Sequence, residues 1–138
     1  MADEATDKPK QKFKPYITGG YIMRQVSKKI SAAFMQRKSA KCGNTRTDGN
    51  TIWLHDNPIA RWNDDDSFEV TLAGWGTVTT RERLNSLPAV RVHQHKHEQF
   101  ISHPTTTCSH MIRNLRDWFR VSKLDWERDV FTLNQLGV

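Results

Sequence analysis

An α+β fold is predicted for this chain of 138 residues by three observations. Apolar side chains recur every three to four positions over residues 21–40, which is the period of an amphipathic helix. Over residues 48–73 the period changes to two, which is typical of strands in an antiparallel sheet. A short capped helix in the middle and a helix near the C-terminus complete the prediction. The core is expected to be small, because only 36% of the residues are hydrophobic.

The chain is predicted to begin with a disordered tail over residues 1–18, followed by a single domain over residues 19–138. The tail mixes acidic residues with lysines and has almost no apolar side chains, so burial cannot offset the entropy lost on ordering. Gly19-Gly20 then separates it from the predicted helix, whose inner face carries Val26 and Ile30.

A two- or three-stranded antiparallel meander is predicted next. Asp48-Gly49-Asn50 is a turn signal, and residues 51–54 form the first predicted strand. Residues 58–62 form the second strand, and a polar reversal leads into the alternating residues 67–72.

A short helix is predicted after this meander, followed by one more strand. Thr79 and Glu82 have the spacing of a capping box, and Pro88 ends the helix. Residues 89–97 alternate again, which predicts a strand.

The last predicted helix begins at a cap formed by Thr107 or Ser109. Residues 130–133 are compatible with a final edge strand. The predicted buried stripe of the helix consists of Met111, Ile112, Leu115, Trp118 and Phe119.

A series of motifs runs through residues 32–87. In order, they are Gly43-Asn44-Thr45, Trp53-Leu54-His55, Ile59-Ala60, Leu72-Ala73-Gly74-Trp75 and the run Thr77-Val78-Thr79-Thr80-Arg81-Glu82-Arg83-Leu84-Asn85. The series resembles a family of small proteins encoded mainly by tailed bacteriophages and by uncharacterised bacterial loci. That family has no assigned activity, so the resemblance implies a phage context and no particular chemistry. Where its members often have His-Gly-Asn, this chain has His55-Asp56-Asn57.

Composition argues against several classes of protein. No stretch approaches the roughly 18 apolar residues of a membrane-spanning helix, so we expect no membrane partner. The polar first residues lack the apolar segment of a secretory signal. Cys42 and Cys108 are too few for a disulfide framework. We therefore expect a protein of the bacterial host's cytoplasm, or one associated with the virion.

We predict no catalytic residues, no cofactor and no metal site. His93, His95 and His97 share one face of the predicted strand, with Cys108 and His110 nearby in sequence. Alternate strand positions lie roughly 6.5–7 Å apart, which strains a site built from all three histidines, so a solvated strand face is favoured. Cys42 has basic neighbours but no histidine and carboxylate beside it in sequence. The protein is therefore not expected to be an enzyme.

The charges are segregated along the chain, which has a net charge of +6. Residues 21–47 contain seven basic residues and no acidic one, whereas residues 48–80 contain six acidic residues and Arg61 alone. Basic stripes attract phosphate backbones through counterion release, and a mobile lysine arm needs no sequence readout. The candidate nucleic-acid-binding residues are Lys8, Lys10, Lys12, Lys14, Arg24, Lys28, Lys29, Lys38, Lys41 and Arg46.

Two functions follow from these observations. The first is a small phage-type accessory protein that binds DNA or RNA without sequence specificity through its basic arm and helix. Trp53, Trp62 or Trp75 would stack on bases if exposed, although in a small sheet most tryptophans fill the core. The alternative is a non-enzymatic protein that docks on an acidic host or phage protein, or that is a structural part of the virion. The sequence does not specify an oligomeric state.

Overall fold

The computed structural model describes residues 15–102 and 109–135, with side chains over residues 25–102 and 109–130. Helices and antiparallel strands together confirm the predicted α+β class. The helices are α1 (Pro15–Met35), α2 (Val78–Asn85) and α3 (Lys123–Gln135). The strands are β1 (Ala40–Cys42), β2 (Thr45–Thr47), β3 (Thr51–Leu54), β4 (Asn57–Trp62), β5 (Phe68–Val70), β6 (Arg91–His95), β7 (Glu98–Ser102), β8 (Ser109–Met111) and β9 (Phe119–Val121).

The larger sheet has the strand order β1-β2-β3-β4-β5-β9, and every neighbouring pair is antiparallel. Side chains alternate between two faces, as strand geometry requires. The inner face is buried and carries Thr45, Thr47, Ile52, Leu54, Ala60, Trp62, Phe68, Val70 and Val121. The outer face is exposed or half-buried and carries Lys41, Arg46, Thr51, Trp53, Arg61, Glu69 and Arg120. The predicted meander is thus confirmed as β3-β4-β5, with three further strands added to it.

Helix α1 packs against β1, β2 and β3 on the inner face. Phe34 is fully buried and stacks on Trp62, with ring centroids 5.2 Å apart, and Phe68 meets both rings edge-on. The Trp62 indole N–H donates to the Phe34 carbonyl at 2.9 Å, so the buried ring has its polar atom satisfied. The predicted helix over residues 21–40 is confirmed with an earlier start and an earlier end. Residues 1–14 of the predicted tail lie outside the described residues.

The cap of α2 differs from the prediction. Thr77, with extended backbone angles, is the N-cap, and its hydroxyl accepts a hydrogen bond from the Thr80 N–H at 3.2 Å. The assignment of the cap to Thr79 was therefore wrong by two residues, because Thr77 and Thr79 have the same capping chemistry. At the other end, the Asn85 side chain accepts from the Val92 N–H at 2.6 Å and donates to the Val92 carbonyl at 2.8 Å. These two bonds fix the start of β6 against α2.

The smaller sheet has the order β6-β7-β8. Strand β6 ends at His95, two residues before the predicted end. Lys96 and His97 have φ values of 50° and 70° and form the two-residue turn of a β6–β7 hairpin. His97 therefore lies in the turn and not on the strand face that carries His93 and His95. The predicted strand was too long because the alternation in the sequence continues into the turn.

The C-terminal segment differs most from the prediction. The predicted helix from Thr107 or Ser109 is replaced by β8, a turn and β9, and residues 130–133 lie inside α3 instead of an edge strand. Thr107 lies outside the described residues. The helical spacing of Met111, Ile112, Leu115, Trp118 and Phe119 is coincidental, since Ile112 instead donates its N–H to the Gln99 carbonyl at 2.8 Å.

Helix α3 starts after Ser122, whose hydroxyl accepts from the Asp125 N–H at 3.2 Å. The Ser122-x-x-Asp125 spacing is itself a capping signal, and it would have placed the helix correctly. Asp129 attaches α3 to the rest of the fold, because its carboxylate accepts from the Ala89 N–H at 2.7 Å. The Trp126 indole N–H donates to the Asp66 carbonyl at 2.8 Å.

The β3–β4 hairpin leads to a stability prediction. His55 and Asp56 have φ values of 51° and 66°, a region that glycine adopts without strain. Asp56→Gly should therefore raise the free energy of unfolding by about 0.5 kcal/mol. The ion pair lost with it, Arg46–Asp56 at 3.3 Å, is worth little because the Asp56 side chain is 88% exposed.

Urea denaturation measures this change. Asp64→Gly is the matched control, because Asp64 is exposed and is not among the residues with positive φ. There the added backbone entropy of glycine should lower stability by about 0.5 kcal/mol. Equal effects of the two substitutions would contradict the assignment of strain to Asp56.

Candidate nucleic-acid interface

Four of the predicted lysines lie along one edge of the fold, where α1 packs against the edge strand β1. Lys28 and Lys29 are on α1, Lys38 follows the helix, and Lys41 is in β1. All four are exposed, and within the described residues none of them forms an ion pair. We call these four lysines the basic edge.

The remaining predicted residues are placed less uniformly. Arg46 lies on the outer face, next to Lys41 in the β1–β2 register, whereas Lys28 and Lys29 lie on the opposite side of the sheet. The predicted residues thus form an edge that wraps around the sheet and not one flat surface. The Arg24 side chain lies outside the part that the structure describes, as do all of Lys8, Lys10, Lys12 and Lys14.

The acidic residues of the segment 48–80, which we call the acidic segment, are partly neutralised by arginines. Arg120 contacts Asp65 at 2.6 Å, Arg37 contacts Asp66 at 3.1 Å, and Arg61 contacts Glu69 at 2.6 Å. Hydrogen bonds from the Ser67 side chain and from Arg120 hold the pKa of the Asp65 carboxyl well below its usual range. The arginines are therefore engaged with carboxylates, and the lysines of the basic edge remain as positive charge without a described acidic partner.

The outer face also carries two arginines stacked on tryptophans. The Arg46 guanidinium lies 4.2 Å from the centre of the Trp53 ring, and that of Arg61 lies 3.9 Å from the centre of the Trp118 ring. Sequence reasoning did not single out the Arg61–Trp118 pair. Alternation in β4 predicted the outward direction of Arg61, but Trp118 lies immediately before β9, and no local signal placed it there.

The three tryptophans considered as stacking residues have different environments. Trp62 is buried in the core, Trp53 is half-buried beneath Arg46, and Trp75 is 56% exposed. The exposed Trp75 borders a cavity of about 490 Å³ between the inner edge of the β3–β4 hairpin and the start of α2. The cavity is lined by Leu54, His55, Asn57, Ile59, Trp75, Thr77, Thr79 and Thr80.

A second, more polar cavity of about 230 Å³ shares His55 with the first. Its other lining residues are Lys41, Gly43, Asn44, Thr45, Arg46 and Asp56. The imidazole Nε2 of His55 lies 3.3 Å from the side-chain nitrogen of Asn44. His55 therefore lines both an apolar compartment and a cationic one.

Arg83 explains part of the motif run that begins at Thr77. Its side chain is buried, at 5% exposure, and donates to the Thr45 hydroxyl at 2.9 Å and to the Ser27 hydroxyl at 3.0 Å. A longer contact reaches the Asn44 side-chain oxygen at 3.4 Å. Burial lowers the pKa of the guanidinium. Arg83 thus connects α2 to α1 and β2, and its role is structural.

The other candidate residues are not brought together. Among the described residues, no three histidine, cysteine or acidic side chains are grouped closely enough to hold a metal ion. His93 stacks on Phe100 with centroids 5.3 Å apart. Cys108 lies outside the described residues, and Cys42 is half-buried in β1. Over the described ranges, no helix is both long and apolar enough to cross a bilayer.

Comparison with known protein families identifies a related family. The family model described as "Kyanoviridae Gp96 protein" matches residues 23–124, which extends well beyond the motifs at residues 32–87. No curated protein and no solved structure matches the chain significantly.

Proposed function

This chain belongs to the Kyanoviridae Gp96 protein family, a family of phage proteins, and we propose that it binds DNA or RNA without sequence specificity. The observation that carries the proposal is the basic edge, whose four lysines are exposed and have no acidic partner among the described residues. The proposed site consists of Lys28, Lys29, Lys38 and Lys41 with Arg46. Arg24, Lys8, Lys10, Lys12 and Lys14 are included on the basis of the sequence alone.

Charge and side-chain chemistry support this function over sequence-specific recognition. A lysine ammonium is a compact charge on a flexible stem and contacts phosphate oxygens without fixing a base. Each neutralised phosphate releases condensed counterions, so several lysines along one edge suffice for affinity at moderate salt. Because Asp65, Asp66 and Glu69 pair with arginines, the acidic segment repels a nucleic-acid backbone less than the sequence alone suggests.

Fluorescence anisotropy with labelled single-stranded and double-stranded oligonucleotides tests the proposal. Between 50 and 200 mM salt we expect the affinity to fall by about 10³-fold, as for a protein that contacts several phosphates. No binding at 50 mM salt, or an affinity indifferent to salt, would refute nucleic-acid binding.

The charge-reversal variant Lys28→Glu/Lys29→Glu locates the interface. We expect its logarithmic salt slope to be shallower by about 2, since two phosphate contacts are lost. Lys96→Glu/Arg113→Glu is the matched control, because it makes the same change in net charge at two exposed residues away from α1. If both variants weaken binding equally, net charge and not the basic edge would be responsible.

A second candidate function is docking on a host or virion protein, and exposed apolar side chains favour it. Trp75 and Val78 are 56% and 63% exposed and lie three residues apart. Association of this kind would persist at high salt and would be weakened by Val78→Asp, while Lys28→Glu/Lys29→Glu would leave it unchanged. Size-exclusion chromatography across the same salt range separates the two functions.

A further inference from the structure

We infer that the two adjoining cavities form a subsite for one unpaired nucleotide, with its base against Trp75 and its phosphate beside Lys41 and Arg46. This inference rests on the proposed nucleic-acid function. It adds a base-binding contact that the basic edge does not supply, and it commits the protein to a preference for single-stranded over double-stranded nucleic acid.

The apolar compartment has the properties of a base pocket. Its volume of about 490 Å³ falls within the range of small-molecule sites. An exposed indole forms one wall and the aliphatic side chains of Leu54 and Ile59 form another. Stacking of a base on such an aromatic surface is tolerant of sequence, because every base has a π-face.

Polar groups at the same cavity suit a base edge. Asn57 and Thr79 contribute an amide and a hydroxyl, and each of these groups both donates and accepts hydrogen bonds, whereas the Thr77 hydroxyl is engaged at the cap of α2. Such groups adapt to different bases. The difference in affinity between a nucleotide with a base and an abasic one should therefore be larger than the difference between nucleotides with different bases.

The cationic compartment supplies the phosphate-binding part of the proposed subsite. It shares the lining residue His55 with the base pocket and is also lined by Lys41 and Arg46, a placement that suits a ligand with an aromatic part and an adjacent anion. Asp56 also lies there and contacts Arg46 at 3.3 Å. That pair is solvent-exposed and therefore weak, so a phosphate can replace the carboxylate at Arg46 at little cost.

The stacked geometry of a duplex restricts this subsite to unpaired strands. A base inside a duplex is covered on both faces and cannot reach a cavity wall unless it is unstacked, which is costly. A single strand presents its bases freely. The charges of the basic edge act on both forms, whereas Trp75 should act on the single strand alone.

Binding of a ten-residue oligothymidine, an abasic deoxyribose-phosphate oligomer of equal length and a duplex at 50 mM salt tests the inference. We expect the intact protein to bind the oligothymidine about tenfold more tightly than the abasic oligomer. Trp75→Ala should abolish that preference and leave duplex binding unchanged, and Trp75→Phe should retain most of it. Leu124→Ala is the matched control, because Leu124 is a large apolar residue about as exposed as Trp75, at 63% against 56%, and lies on α3.

The possible failures are distinguishable. Equal affinity of the intact protein for the two oligomers, with no effect of Trp75→Ala, would overturn the base pocket and leave binding by the basic edge standing. No binding of any of the three probes would refute the proposed function as well. Asp56→Asn tests the phosphate half, since removing a nearby like charge should raise the affinity for both oligomers about threefold. An unchanged affinity would contradict the placement of the phosphate.

Discussion

Arg83→Met should lower the free energy of unfolding by about 3 kcal/mol. Arg83 is 5% exposed, and its guanidinium donates to the Ser27 hydroxyl on α1 and to the Thr45 hydroxyl on β2. Methionine fills much of the same volume but donates no hydrogen bond. The loss therefore comprises charge-assisted hydrogen bonds of about 1.5–3 kcal/mol each, reduced because the cost of burying the charge is also removed.

Chemical denaturation measures this effect, and Arg113→Met provides the matched control. Arg113 is exposed, so its replacement should change stability by less than about 0.5 kcal/mol. Arg83→Lys should fall between the two, since an ammonium reaches one hydroxyl but lacks the fork that reaches both. A loss below about 1 kcal/mol for Arg83→Met would mean that the buried guanidinium costs as much as its bonds contribute.

The local patterns predicted the elements best where a single period dominates over many residues. The helix that contains Val26 and Ile30 and the alternating strands around Phe68 were predicted correctly, because burial on one face leaves a strict spacing in the sequence. The segment after residue 108 was predicted incorrectly, because its apolar spacing fits a helix while its pairing partners lie far away. Phe119 pairs with Val70, about fifty residues earlier, and no local pattern encodes that contact.

The candidate site was predictable in its charges and not in its cavities. Lysines in a stretch without acidic residues are visible in the sequence, and Lys28, Lys29, Lys38 and Lys41 are indeed exposed. The partial neutralisation of the acidic segment was less predictable, since it depends on long-range pairs such as Arg120–Asp65. The exposure of Trp75 follows from how α2 packs beside the β3–β4 hairpin, which tertiary contacts decide.

Gly49→Ala should also destabilise the protein by about 3 kcal/mol. Gly49 is buried in the β2–β3 turn with φ of 92°, where an L-residue is strained. A Cβ at this position would lie 2.6 Å from the carbonyl carbon and from the oxygen of Arg37. Both are backbone atoms two residues after the end of α1, so the clash cannot be relieved by rotating a side chain. The expected loss combines about 1 kcal/mol of backbone strain with about 2 kcal/mol of overpacking.

Gly43→Ala separates these two contributions. Gly43 has φ of 61° and no atom within 4 Å of its would-be Cβ, so only the backbone strain of about 1 kcal/mol applies there. Urea denaturation of both variants should therefore show a difference of about 2 kcal/mol. Equal losses would mean that the turn and the end of α1 move apart easily. In that case the chain after α1, including Lys38 of the basic edge, would not be held in place by contact with Gly49.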